Sequence, residues 1–406
     1  MAFNPISVRP QFPALEQTVY GKPLVYFDNA ATTLKPSSVI NELKRFYEHE
    51  NSNIHRGAHY LSNLATEAYE HSRDYVAKYI NARESSEIIF VRGTTEGINL
   101  VAQSFGRAFI ENGDEIIISG LEHHSNIVPW QMLCEEKGAI LKIIPVLDNG
   151  SLDMQVFQSL FSSKTKLLAL THISNALGII NPVKAMIQTA HSHNVAVLID
   201  GAQGIVHTQV DVQQLDCDFY CFSGHKIYGP MGIGVVYGKR EQLEKMPPWQ
   251  GGGEMIKEVS FEKTTYNDIP FKFEAGTPNV SGVLGLRKAL EFINETGIIS
   301  IRQHEDHLLN YATESIMQID GIKIFGTHPK KTGVLSFLVD GIHPYDVGVL
   351  LDKLGIAVRT GHHCAQPLME RFKIPGTVRA SFAVYNTTQE IDVFIEALKK
   401  TILMLR

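Results

Sequence analysis

Asp218-Phe-Tyr-Cys-Phe-Ser223-Gly-His225-Lys226-Ile-Tyr-Gly-Pro-Met-Gly-Ile-Gly234 is the stretch that decides how this chain folds. It begins as a short apolar run, the pattern of a buried strand. The run stops at Ser-Gly-His-Lys and passes through three glycines and a proline, which punctuate a turn. A lysine therefore stands just past a strand end, flanked by Phe222, Ile227 and Tyr228. An amine in such surroundings loses hydration, its pKa falls, and it becomes a nucleophile or Schiff-base former. The alternative is a loop lysine whose stem lies on apolar neighbours while its ammonium reaches water.

The same pattern recurs on either side. Glu87-Ile-Ile-Phe-Val91 leads into Arg92-Gly-Thr94-Thr95-Glu96-Gly97, and Asp114-Glu-Ile-Ile-Ile-Ser119 into Glu122-His123-His124-Ser125-Asn126. Leu167-Leu-Ala-Leu-Thr171 leads into His172-Ile-Ser-Asn175, and Val195-Ala-Val-Leu-Ile-Asp200 into Gly201-Ala202-Gln203. Gly234-Val-Val-Tyr237 returns from the Lys226 turn. Strands that are apolar throughout, separated by helical segments, predict an α/β fold with a mostly parallel sheet covered on both faces. Ligands bind such sheets outside the carboxyl ends of the strands, and the polar clusters all fall at those ends.

Upstream, residues 1–20 read as an N-terminal arm, and Leu24-Val-Tyr-Phe-Asp28 as a strand ending in the turn Asp28-Asn29-Ala-Ala-Thr-Thr33. Asn53-Ile-His55-Arg56-Gly57 is a loop with two basic side chains, and residues 63–80 have the spacing of an amphipathic helix. After Gly251-Gly-Gly253 the alternation ends. Val283, Leu286, Leu290 and Ile293 predict a helix stopping at Gly297, and Ile301 to Ile316 another. Strands are expected at Gly333–Leu338 and Ile356–Arg359, and Thr387-x-x-Glu390 reads as a capping box for the last helix. The expected organisation is the arm, a large domain over 21–285, and a smaller α+β domain over 286–406.

The chain has 406 residues, 44% apolar and 20% charged, enough for two domains with a substantial core. Net charge is −6 with no basic block, which argues against nucleic acid as a partner. No apolar run approaches membrane-spanning length, and the first residues carry neither a signal nor a transit pattern. Four scattered cysteines make no disulfide framework, so a cytoplasmic protein with reduced thiols is expected.

The strand ends suggest what they hold. Gly93-Thr94-Thr95-Glu96-Gly97 joins a strand to a helix, so its free N–H groups and hydroxyls suit a phosphate, or simply cap the helix. Asp200 is either a helix cap or the acceptor of a cationic ligand nitrogen. A lysine, a buried acid and a phosphate cradle on one sheet edge are what pyridoxal 5'-phosphate requires. His123 stacks on its ring or is a satisfied core histidine, and Gln203 is placed to meet the ring hydroxyl. Ala357-Val-Arg359-Thr-Gly-His362-His363-Cys364-Ala-Gln-Pro367 puts one thiol beside two imidazoles, and cationic histidines there would raise its thiolate fraction. The alternative is a buried structural cysteine. Arg379, on an apolar strand, requires an anionic partner such as a substrate carboxylate. A rival of another class is a zinc-binding scaffold on His362, His363, Cys364 and the pair His123 and His124. Three consecutive residues rarely all reach one tetrahedral ion.

Together, Ser223-Gly-His-Lys226-Ile-Tyr-Gly-Pro, Arg92-Gly-Thr-Thr-Glu-Gly-Ile-Asn99, Asp200-Gly-Ala-Gln203 and Arg359-Thr-Gly-His-His-Cys364-Ala resemble a cysteine desulfurase of the class V aminotransferase family. More narrowly they resemble the SufS type, which serves iron–sulfur cluster assembly, and the likeness runs over almost the whole chain. The resemblance implies fold type I, a homodimer, and pyridoxal phosphate bound between two domains. It implies Lys226 as the residue bonded to the cofactor, Asp200 on the pyridine nitrogen, Gln203 on the ring oxygen and His123 stacked on the ring. Thr94, Thr95, Glu96, Ser223 and His225 fall to the cofactor, with Thr277 supplied by a partner subunit. Asn175, Arg359 and Arg379 face the substrate, with His55 and Arg56 nearby. The implied catalytic residues are Lys226, Cys364 and His123. L-Cysteine is the implied substrate, selenocysteine an alternative one, and the sulfur acceptor a protein of the SufE or SufU kind.

Overall fold

The computed structural model describes residues 4–406, so residues 1–3 of the expected arm lie outside the described residues. Its centre is a seven-stranded sheet in the order Ile88–Val91, Gly234–Gly238, Phe219–Ser223, Ala196–Asp200, Thr165–Thr171, Glu115–Ser119, Ile140–Ile144. The five strands from Phe219–Ser223 to Ile140–Ile144 are mutually parallel. Gly234–Gly238 runs antiparallel to both its neighbours. The sheet is therefore mostly parallel, as the alternation predicts.

Its two faces feed two cores with the period of two that a strand imposes. Ile117, Leu168, Leu170, Val197, Ile199, Tyr220 and Phe222 point one way, toward the helices Tyr60–Tyr79, Val183–Ser192 and Val280–Thr296. Ile116, Ile118, Leu167, Ala169, Leu198, Phe219 and Cys221 point the other way, toward Thr94–Val101 and Val128–Lys137. Each fully buried aliphatic side chain contributes roughly 1.5–3 kcal/mol.

Ile140–Ile144 is a strand that the sequence reading misses. It begins two residues after the left-handed cap at Gly138. It also lies at the sheet edge, where Ile140 and Ile143 stay exposed and Lys142 reaches Glu115 at 2.7 Å.

The smaller unit is a four-stranded antiparallel sheet in the order Ile322–Phe325, Val334–Val339, Thr377–Ser381, Arg359–Gly361. The helices Ile298–Ile316, Pro344–Lys353 and Thr388–Leu405 supply the apolar residues that cover it. The Thr387 and Glu390 side chains form the expected reciprocal cap. The expected strand over 356–359 is two short pieces, Ile356–Ala357 and Arg359–Gly361.

The expected division near 285 falls within a helix. Residue 285 lies inside the helix Val280–Thr296, whose Leu286, Ala289, Leu290 and Ile293 pack in the same core as the large sheet. Conversely, Val25–Tyr26 pairs in parallel with Ile356–Ala357, and Val25 and Phe27 pack in the small-domain core. Chain order and spatial order differ there, because an early strand completes a late sheet. The arm is pinned as well: Phe12 is buried against the rings of Tyr228, Phe292 and Tyr385. Among the described residues, no helix is long and apolar enough to cross a membrane.

Candidate active site

The carboxyl ends of the parallel strands and the loop after Arg359–Gly361 enclose a cavity of about 350 Å³. Lys226 lines it from the single turn Gly224–Lys226 that follows the strand ending at Ser223. Burial pulls its amine pKa down, and Asp200 pushes it partly back. Asp200 is the last residue of its strand, buried, with Oδ1 accepting the Ala202 N–H at 2.9 Å. Burial raises its carboxyl pKa, and Lys226 opposes the rise. Cys364 lines the same cavity and is exposed. The amine and the thiol, far apart in sequence, thus share one chamber.

His123 is held by its own loop. Its Nδ1 accepts the Ser125 N–H at 3.1 Å and lies 2.8 Å from Ser125 Oγ, so the neutral ring carries its proton on Nε2. Burial, aided by Lys226, drops its pKa to about 3. A neutral imidazole is suited to lie on an aromatic ring. His225 is likewise held neutral, at about 4, by burial and Lys226.

The anion cradle forms where Gly234 lets two backbones meet. A Cβ there would lie 2.5 Å from Gly93 Cα and from Phe222 O. With hydrogen in its place, the Thr94 N–H reaches Ser223 Oγ at 2.8 Å, and the two hydroxyls are also 2.8 Å apart. Thr94, Thr95, Ser223 and His225 all line the cavity. Glu96 does not: its carboxylate is held by Arg92, accepting Nε at 2.6 Å and the backbone N–H. Gln203 lies outside the lining too, because its amide is committed to the Ala30 carbonyl at 2.7 Å.

Arg379 is buried, and burial brings its guanidinium pKa down to about 10. Its Nη1 donates to the Asn175 carbonyl at 2.9 Å and its Nη2 to Asp28 Oδ1 at 3.2 Å, while Nε has no partner among the described residues. Arg359 also grips Asp28, at 2.8–3.2 Å. Asp28 is the functional residue that sequence reasoning left unassigned. Its signal was present, since it ends an apolar strand just as Asp200 does.

The Cys364 loop is built on strained backbone. His363 and Cys364 both have left-handed φ, 53° and 55°. That conformation costs roughly 1–2 kcal/mol per non-glycine residue. It is held by Asn175 Nδ2 on the His363 carbonyl and the His124 N–H on the Cys364 carbonyl, each at 2.7 Å. The expectation of two cationic imidazoles beside the thiol fails for His363. That ring is buried with Nε2 on Thr377 Oγ1 at 2.8 Å, and its pKa falls to about 2 through burial and the facing arginines. Among the described residues no group of three or more His, Cys, Asp or Glu is placed to hold a metal ion.

Three expected residues lie elsewhere in this chain. His55 Nε2 binds Glu70 at 2.9 Å, and Arg56 Nε binds Glu254 at 3.1 Å. Neither lines the cavity, because these acids hold them at a separate loop. Thr277 is exposed on a neighbouring concavity with Arg92 and Glu274. That region is locked by Arg73, buried, with Nη1 and Nη2 on Glu274 at 2.7 and 2.9 Å and its guanidinium 4.7 Å from the Phe90 ring. Arg73→Leu strands Glu274 without its cation and is expected to cost about 3–5 kcal/mol, read as a lower urea midpoint. An unchanged midpoint would contradict the lock.

The lining fits pyridoxal phosphate on its own chemistry: a buried acid, a desolvated amine, a neutral imidazole and a hydroxyl-rich turn. A family model, aminotransferase class-V, matches residues 25–394. The chain is 52% identical over 98% of its length to a probable cysteine desulfurase of Mycolicibacterium paratuberculosis, but spans only 58% of that protein. It is 52% identical to a cysteine desulfurase of Pectobacterium atrosepticum, covering 97% of each chain. The crystal structure of the Escherichia coli cysteine desulfurase CsdA superposes over both whole chains with a TM-score of 0.91 at 42% identity. The chain belongs to the class V aminotransferase family. Its fold is type I of the pyridoxal phosphate enzymes, and pyridoxal phosphate is its cofactor.

Proposed function

We propose that this protein is a cysteine desulfurase of the SufS type. It converts L-cysteine to L-alanine, captures the sulfur as a persulfide on Cys364, and passes it to an acceptor for iron–sulfur cluster assembly. The observation that carries this reading is the single cavity lined by both Lys226 and Cys364.

Pyridoxal phosphate, when bound, supplies the electron sink that makes the substrate Cα acidic. Asp200 holds the proton on the pyridine nitrogen, and Ser223, Thr94, Thr95 and His225 receive the phosphate. Arg379, with its Nε free of partners, takes the substrate carboxylate beside Asn175. Lys226, its basicity lowered by burial, removes the Cα proton and returns protons to substrate carbon. The Cys364 thiolate attacks the substrate sulfur. The new S–S bond forms as the S–Cβ bond breaks, and the released electron pair stays on carbon, where protonation gives the methyl group of alanine. No external oxidant enters.

Thr277 and the His55–Arg56 loop are assigned in this reading to the site of a second copy in a homodimer. The exposure of Thr277 away from its own cavity supports that assignment. The acceptor is of the SufE or SufU kind, and the protein works in the cytoplasm.

The test is one turnover of holoenzyme with L-cysteine, followed by alanine quantification and mass mapping of the cysteine peptides. One extra sulfur on the Cys364 peptide per alanine is expected. Alanine without that mass on Cys364 would overturn the reading.

A further inference from the structure

Lys226 stands on a one-turn segment, and something outside that segment must fix its position. The turn's own bonds are the Ile227 and Gly229 N–H groups on the Gly224 carbonyl, at 3.0 and 2.9 Å. The peptide just before Lys226 is gripped from elsewhere. The His225 carbonyl accepts the Thr33 N–H at 3.2 Å, Thr32 Oγ1 at 3.0 Å, Thr33 Oγ1 at 3.3 Å and Lys35 Nζ at 2.7 Å. One oxygen with two lone pairs thus faces four donors, one of them the buried Lys35 amine. Thr33 Oγ1 also accepts the Tyr228 N–H at 2.8 Å, so the grip spans both sides of Lys226.

Lys35 closes this clamp. Its three ammonium protons have three oxygen acceptors: the His225 carbonyl, the Thr33 carbonyl at 2.6 Å and Thr32 Oγ1 at 3.3 Å. It therefore ties the turn after the Asp28 strand to the turn that carries Lys226. Lys35 does not line the cavity. Burial lowers the Lys35 amine pKa to about 7, and the titratable groups around the clamp are His225, Lys226, Tyr26 on the Thr32 carbonyl, Tyr385 on the Leu34 N–H and, across the cavity, Asp200.

We propose that Lys35 is a positioning residue for the proposed chemistry, a buried amine clamp on the 225–226 peptide that sets where the Lys226 amine points. It touches neither substrate nor cofactor and acts through the His225 carbonyl. This rests on the reading that Lys226 carries the cofactor.

The experiment compares holoenzyme of wild type, Lys35→Met, Lys35→Arg and Thr32→Val. Lys35→Met is expected to lower kcat for L-cysteine roughly 10- to 100-fold, the scale of a small misplacement of a reacting group, with KM nearly unchanged. Lys35→Arg keeps a cation on the carbonyls and is expected to return kcat to within about threefold of wild type. Thr32→Val keeps Lys35 but removes one donor to the His225 carbonyl and the longest of the three Lys35 acceptors, and lowers kcat by a smaller factor at unchanged Tm. The inference is overturned if Lys35→Met and Thr32→Val keep the kcat of wild type. It is equally overturned if Lys35→Arg is as impaired as Lys35→Met. Borohydride fixation of wild type separates the two levels: cofactor fixed on a lysine other than Lys226 overturns the underlying reading itself.

Discussion

Lys226→Ala loses the fixation of cofactor by borohydride and lowers L-cysteine turnover by roughly 10²–10⁴-fold through lost proton transfer alone. The amine is the group in the cavity whose burial and neighbours together lower its basicity while Asp200 keeps it within reach of protonation. With alanine in its place, Asp200 is left buried without its nearest opposing charge, and its already raised carboxyl pKa rises further. The variant still folds, because the lysine side chain borders a cavity and the apolar residues beneath it, Phe222 and Ile227, keep their packing. A variant that retains reducible cofactor on the 226 peptide region at wild-type yield would remove Lys226 from its role.

The large sheet was legible because buried parallel strands leave continuous apolar runs, and their polar ends mark the ligand edge. Asp200 and Lys226 came from that rule, the role of Ser223 came from the family resemblance, and all three line the cavity. The edge strand Ile140–Ile144 escaped it, since an exposed edge strand carries a lysine and follows its helix at once. The domain division escaped for a topological reason. A parallel pairing between Val25–Tyr26 and Ile356–Ala357 joins residues that no local pattern relates. Among site residues, the tertiary partners decided the differences. Glu96 has the right position on its helix, but Arg92 turns its carboxylate away. His363 has the right neighbour, but Thr377 and a dry environment hold it neutral. His55 and Arg56 have the right charge, but Glu70 and Glu254 keep them on another loop. Sequence shows which groups are present, and only the fold shows which acid or carbonyl claims each one first.

Cys364→Ala is expected to abolish sulfur release from L-cysteine, a fall of about a thousand-fold or more, as for the loss of a nucleophile that works as one unit with its base. Cofactor content and the visible band stay as in wild type, since Lys226, Asp200 and the Ser223–Thr94 cradle are untouched. KM changes little, because Arg379 and Asn175 are held by Asp28 and by backbone carbonyls, not by the thiol. Alanine is the informative replacement here. The left-handed φ of 55° at position 364 costs alanine about what it costs cysteine, so the loop keeps its strain and shape. Glycine would relieve that strain and confound a chemical loss with a change in loop order. The bond from the His124 N–H to the 364 carbonyl survives either change, so the loop remains seated. Normal sulfide production by Cys364→Ala, measured with a reductant present, would show that another group attacks the sulfur and that the thiol at the cavity edge is a bystander.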